Sequence, residues 1–198
     1  MDRRFPLNVH WKRPTETLHV LEPTEAGVLA HAPQLAIYYN DPHNRAMMAH
    51  TQEMSIADVV EHYTLLRAEQ GRPLMLFAGD RLVGDADLRG IGGGQAELAI
   101  MIGDRALQGR GLGTAFGVMA HALAFLRPGL GLTRTFVSIL PENTASRRLF
   151  ERLGYEGDDS PAARAIADEP TDITMSLERA RFEKVYAAEL KELEFRIY

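Results

Sequence analysis

AELAIMIGDRALQGRGLGT, spanning Ala96 to Thr114, carries the main architectural signal of this 198-residue chain. Ala96–Ile102 is apolar and β-rich and predicts a strand. Gly103–Gly111 predicts a loop. A helix is then expected over Leu112–Leu126, because Leu112, Phe116, Met119, Ala120 and Leu123 recur at i, i+4, i+7, i+8 and i+11. Pro128 and Gly129 break it. The stretch is therefore a strand that runs through a glycine-rich loop into a helix start. Such a start offers free backbone N–H groups and a partial positive charge. Glycines let a diphosphate come close to those groups, and Arg110 adds a cation. Two nucleotide loops fail on spacing. The third glycine of G-x-G-x-x-G is replaced by Thr114 or Phe116, and no Gly-Lys pair exists for a Walker loop. Spacing alone gives an anion-binding helix start.

Charge sharpens this reading. Residues 1–104 carry 9 basic and 14 acidic residues, residues 105–152 carry 7 and 2, and residues 153–198 carry 6 and 11. Between Arg105 and Pro141 there is no Asp or Glu, where the chain's 27 acids would place about five. An acid-free block around the loop suits an anionic ligand. The overall charge of −5 argues against a nucleic-acid binder held by bulk charge. The absence of cysteine excludes disulfides, thiolate metal sites and a cysteine nucleophile. The seven histidines show no metal-ligand spacing, so no metal is expected. No apolar run reaches the roughly 18–20 residues of a membrane helix, and MDRRFPLNVHWKRP has no apolar core of a secretory signal. The expected location is the cytoplasm, with no membrane partner.

Further out, an α/β pattern emerges. Strands are expected at Thr17–Glu22, Leu74–Ala78, Leu82–Leu88, Thr133–Leu140 and Ile173–Leu177. Helices are expected at Glu25–Tyr39, at Ile56–Glu69 behind an N-cap at Ser55, at Thr144–Leu153, and at Leu177–Phe195. Gly92–Gly94 reads as a hairpin connection, since no helix signal follows it. Glu156–Thr171 reads as an acidic loop, with room for a short strand at Tyr155.

Gln108-Gly109-Arg110-Gly111-Leu112-Gly113 matches Q/R-x-x-G-x-G/A, the acyl-CoA diphosphate motif of the GNAT superfamily of N-acetyltransferases. NDPHNRAMM (Asn40–Met48) and ILPENTASRRLFERLGY (Ile139–Tyr155) follow in the right order. They are similar to segments of the branch with ribosomal-protein N-terminal and polyamine acetyltransferases. The resemblance covers about Thr17–Leu177. It implies an α/β (α+β) fold: one mixed, mostly antiparallel central sheet flanked by helices, with an extra C-terminal helix. One acyltransferase domain over 1–198 is expected, with its core at about 17–177 and a helical extension at 178–198. That helix would cover the core or bind a second subunit as a homodimer.

The resemblance also implies roles. Acetyl-CoA would be the co-substrate. The backbone from Gln108 to Thr114 (Gln108, Gly109, Arg110, Gly111, Leu112, Gly113, Thr114) would hold its diphosphate. The backbone of Met101 and Ile102 would pair with the pantetheine arm, and one N–H would polarise the thioester carbonyl. Asn143 and Ser146 match residues near the cofactor. Asn143 equally suits a plain helix N-cap. The acceptor would be a primary amine that must lose a proton, and Glu97 is the candidate base. Glu142, Asp87 and His50 are weaker candidates, and His121, inside a helix, reads as structural. The family's tyrosine acid is Phe150 here, which cannot donate a proton, and Tyr155 is out of register with it. Ser146 or water would then protonate the thiolate. This departure keeps a second reading open, a non-catalytic acyl-CoA-binding or regulatory module. The acidic N-terminal half favours a cationic acceptor: a polyamine, an aminoglycoside-like molecule or a protein N-terminus.

Overall fold

The computed structural model describes residues 7–48 and 52–197. His50 lies outside them. The elements in order are β1 (Leu7–Lys12), β2 (Thr17–Leu21), α1 (Glu25–Asn40), α2 (Pro42–Met47), α3 (Ile56–Ala68), β3 (Arg72–Ala78), β4 (Arg81–Gly92), β5 (Gln95–Ile102), α4 (Leu112–Phe125), β6 (Arg134–Ile139), α5 (Thr144–Leu153), β7 (Glu156–Gly157), α6 (Pro161–Arg164), β8 (Ile173–Glu178), α7 (Arg179–Val185) and β9 (Leu193–Ile197). All strands join one mixed sheet in the order β7-β8-β6-β5-β4-β3-β2-β1-β9. Every pairing is antiparallel except β5 with β6. The expected fold class holds.

Alternating side chains give the sheet two apolar faces. Leu88, Ala96 and Leu98 join the main core around α4, whose central residues are buried all round. Met75, Phe77 and Leu82 point the other way and pack on Val28, Leu35, Tyr39 and Tyr63 of α1 and α3. Local chemistry sets the helix ends. The Thr24 side chain accepts from Gly27 N, and Ser55 with Asp58 forms a reciprocal capping box.

Three expectations need correction. Asp41-Pro42 ends α1 as expected, but it also starts α2: Asp41 accepts from the backbone of His43 and Asn44, and Pro42 takes the first helical turn. LNVHWK forms β1, a strand that the sequence reading does not include. Leu7, Val9 and Trp11 fill the main core from this strand. The helix expected over Leu177–Phe195 is confined to Arg179–Val185, and Leu193–Ile197 turns back as β9 against β1. Phe182, Val185, Tyr186, Leu190 and Leu193 do recur at helical spacing, yet the alternation of LEFRI and an open β1 edge take the final segment into the sheet.

Candidate active site

β5 and β6 pair only from Gln95 to Glu97, against Arg134 to Phe136. Leu98–Ile102 keeps β4 on one side and meets no strand on the other. The sheet therefore opens at Glu97 into a cleft, and Leu98–Ile102 forms one wall of it with no neighbouring strand on that side. Gly84 on β4 lets this edge lie close. A Cβ there would collide with the carbonyl oxygen of Met101.

The loop beyond Ile102 is braced at several points. Gln108 Nε2 donates to the carbonyl of Ile102 at 2.7 Å and to Asn44 Oδ1 at 3.0 Å. Buried Asn44 donates in turn to the carbonyls of Tyr38 and Gly103, at 3.0 and 2.9 Å. Asp104 accepts from Ala106 N and pairs with Arg81. Gly109 and Gly111 sit in the left-handed region, with φ 72° and 82° and open space where a Cβ would be. They are required for backbone conformation rather than for lack of room. Gly111 is the N-cap of α4 and supplies no side-chain cap. The N–H groups of Leu112, Gly113 and Thr114 thus have no intrahelical acceptor. The space where a Gly113 Cβ would sit is lined by Ile102 and Leu149, so the ends of β5, α4 and α5 converge. Open glycines, uncapped N–H groups and exposed Arg110 fit a diphosphate.

Asn143 caps α5: Oδ1 accepts from Ser146 N and Nδ2 donates to the carbonyl of Met47, both at 3.0 Å. The N-cap reading therefore holds, and the same side chain ties α5 to α2. Ser146 lies half-buried in the first turn of α5.

Glu97 stands at the vertex of the cleft, on the sheet face that carries α1 and α3. Its partner across the hairpin is Arg89. Arg89 Nε lies 3.5 Å from Glu97 Oε2 and 3.1 Å from Asp87 Oδ1. The Glu97 side chain is 16% exposed. Burial pushes its carboxyl up to about 7, Arg89 pulls it down, and Asp87 and Asp168 push it up. Asp87 is also raised, chiefly by burial. Asp85, fully buried on the same strand, accepts from Tyr39 and Tyr63 and is pushed by burial up to about 7. Glu142 is exposed in the turn before Asn143.

His121 and Tyr155 are buried in another place. Thr135 Oγ1 and Tyr155 Oη lie 2.8 Å apart, Tyr155 Oη and His121 Nε2 2.7 Å apart, and His121 Nδ1 and the carbonyl of Gly117 2.6 Å apart. Burial pushes His121 down to about 4, so the ring is neutral: Nδ1–H donates and Nε2 accepts. Burial raises the Tyr155 phenol, and Phe150 packs edge-on against its ring. Neither Phe150 nor Tyr155 offers a proton to the cleft.

Asn44, Arg89, Asp85 and Asp168 are the site-region residues that sequence reasoning missed. Arg89 faces Glu97 only because the pairing shifts by one residue between Arg89 and Gly92; a hairpin closed at Gly93-Gly94 without that bulge would set Gly90 there. A surface cavity of 1130 Å³ lies between α1, the start of α3, the turn at Asp80–Leu82 and Gly103–Arg105 at the start of the loop, and does not include Glu97. Among the described residues no cluster of three His, Asp or Glu could hold a metal. No described helix is long and apolar enough to cross a membrane.

The comparisons meet this geometry. The chain is similar to the aminoglycoside acetyltransferase AAC(6')-Ib in complex with coenzyme A, at 21% identity and a TM-score of 0.69 over 84% of this chain and 98% of that one. It is similar to Mycobacterium smegmatis RimJ in complex with CoA-disulfide, at 17% identity and 0.72 over 94% and 96%. It is also similar to a spermidine N-acetyltransferase SpeG chimera from Vibrio cholerae and hSSAT, at 18% and 0.67 over 83% and 97%. Identities at this level carry the fold alone. No curated protein matches the sequence. The acetyltransferase (GNAT) domain profile matches residues 21–156, which span the cleft, the glycine loop and α5, and the chain belongs to the GNAT family of acetyltransferases.

Proposed function

We propose that this acetyltransferase moves an acetyl group from acetyl-CoA to a primary amine by direct attack, in the cleft between β5 and β6. The observation that carries the reading is the unpaired edge of Leu98–Ile102 leading into the uncapped N-terminus of α4. Acetyl-CoA, when bound, supplies a thioester carbon and a thiolate leaving group. The backbone of Gln108 to Thr114, with Arg110, holds the diphosphate. Met101 and Ile102 pair with the pantetheine arm, and an N–H of that edge polarises the carbonyl. Glu97, with a carboxyl near 7, takes a proton from the incoming ammonium at working pH. Arg89 holds Glu97 in place. Asn143 and Ser146 border the arm, and Ser146 or water returns a proton to the thiolate.

The acceptor we infer is cationic. Asp87, Glu97 and Asp168 all act on Arg89, and among these described residues the carboxylates outnumber the guanidinium and leave this face acidic. Similar proteins named for aminoglycoside and spermidine acetylation support an amine of this class. We place the reaction in the cytoplasm, where acetyl-CoA is made. Mixing the protein with acetyl-CoA and a panel of spermidine, aminoglycosides and amino-terminal peptides, and following free thiol, tests the proposal. Amine-dependent thiol release is expected. Acetyl-CoA binding with no release for any amine would favour the non-catalytic module, for which the buried Phe150 speaks.

A further inference from the structure

We propose that β9 is a self-complementary sheet edge through which two copies of this chain pair around a twofold axis. β9 ends the sheet, and β1 is its only described partner. Its register with β1 is regular over five pairs, from Leu7 with Ile197 to Trp11 with Leu193. The strand LEFRI has no proline, no lysine and no bulge, and its two charges, Glu194 and Arg196, are of opposite sign, so they can satisfy each other across a pair of copies.

Its sequence reads the same against itself. In an antiparallel pair of copies centred on Phe195, Glu194 of each copy faces Arg196 of the other. Leu193 of each copy faces Ile197 of the other, on the opposite side of the sheet. Sliding by one pair puts Glu194 on Glu194 or Arg196 on Arg196, so charge selects one register. Leu193 and Phe195 already pack against the main core, whereas Ile197 is 61% exposed. Pairing would cover it and carry the main core's apolar layer across the axis. Glu194 and Arg196 sit 2.9 Å apart within one strand, so the twofold would gather four alternating charges. The contact is isologous, which closes the assembly at two copies. A five-residue strand pair covers less than the roughly 1,000 Å² of a lasting interface, so the dimer is a weak one. This inference does not rest on the acetyltransferase reading, because β9 and the β5–β6 cleft lie apart in the sheet.

Sedimentation velocity of the full chain, from about 5 µM to about 1 mM, tests it. The wild type is expected to move from monomer to dimer over that range. E194R and R196E each create like-charge pairs and should stay monomeric. An equimolar mixture of the two restores opposite pairs, as does the double variant E194R/R196E, and both should dimerise again. The two side chains are 64% and 51% exposed, so circular dichroism should show every variant folded. A wild type that stays monomeric, single variants that dimerise like it, or a folded mixture and double variant that stay monomeric would each overturn the proposal.

Discussion

Replacing Glu97 with Gln removes the proposed base while keeping its size. The carboxyl sits at the cleft vertex and is held near 7 by burial, so half of the enzyme carries an ionised base at that pH. A carboxylate in this range gains or loses most of its charge between about pH 6 and 8. With the acceptor saturating and delivered as an ammonium ion, kcat should fall tenfold per unit below about pH 7 and level off above it. Glu97→Gln should lower kcat by about 10²–10⁴ and abolish that limb. Arg89→Gln provides the internal control. Its cation lies 3.5 Å from Glu97 and stabilises the charged form, so its loss should move the limb to higher pH. The Arg89 side chain is 45% exposed and solvent screens the pair, so the move is modest. The assay is thiol release from acetyl-CoA across pH 5.5 to 9, roughly the span over which such a group titrates. A limb that survives in Glu97→Gln, or one that does not move in Arg89→Gln, would refute the reasoning.

Other consequences follow from single contacts. Gly111→Ala places a Cβ at φ 82°, a strain of about 1–2 kcal/mol in the diphosphate loop, and should weaken acetyl-CoA binding in calorimetry with little loss of fold. Tyr155→Phe leaves Thr135 and the Nε2 of His121 without their buried partner and should cost about 2 kcal/mol in urea unfolding. The pH dependence of stability has two opposed parts. His121 binds a proton near 6.5 when unfolded but only near 4 when folded, so its contribution is present above 6.5 and is lost as pH falls through 4, by about 3 kcal/mol. Asp85 is raised from 3.8 to about 7, so its contribution is present below 3.8 and is lost as pH rises through 7. Glu97, raised to about 7, and Asp87, raised by burial, act in the same sense as Asp85, so the carboxylates outweigh His121 and the wild type should lose stability as pH rises from about 4 to 7. Asp85→Asn should lessen that loss in a series of urea midpoints over the same range, and an unchanged slope in that variant would contradict the assignment.

The parts legible in the sequence were those set by neighbours along the chain. The glycine loop could be read because left-handed backbone and free N–H groups are local properties of Gly109, Gly111 and the α4 start. The same holds for the caps at Ser55 and Asn143. What escaped depends on partners far along the chain. LEFRI becomes β9 by pairing with β1 across almost the whole sequence, LNVHWK lies between it and β2, and neither alternation is long enough to announce itself. Asn44 looked like one residue of a motif, whereas the fold makes it the brace joining α1, Gly103 and Gln108. Asp168 sat in an acidic loop, and its field on Glu97 and Arg89 exists only because Arg164 and Asp172 fold that loop back: Arg164 donates to the carbonyls of Asp172 and Pro170 and to the Thr174 hydroxyl, and Asp172 accepts from Ser138. The surplus of acids before Arg105 could be counted in advance. That three carboxylates converge on one arginine could not.

The most direct test of the account is a crystal structure of this chain with coenzyme A. The diphosphate is expected against the backbone N–H groups of Gln108 to Thr114, with the pantetheine arm along Met101 and Ile102 and the thiol end directed toward Glu97. Coenzyme A bound in the groove between α1 and the Asp80–Leu82 turn, with the β5–β6 cleft left open, would contradict it.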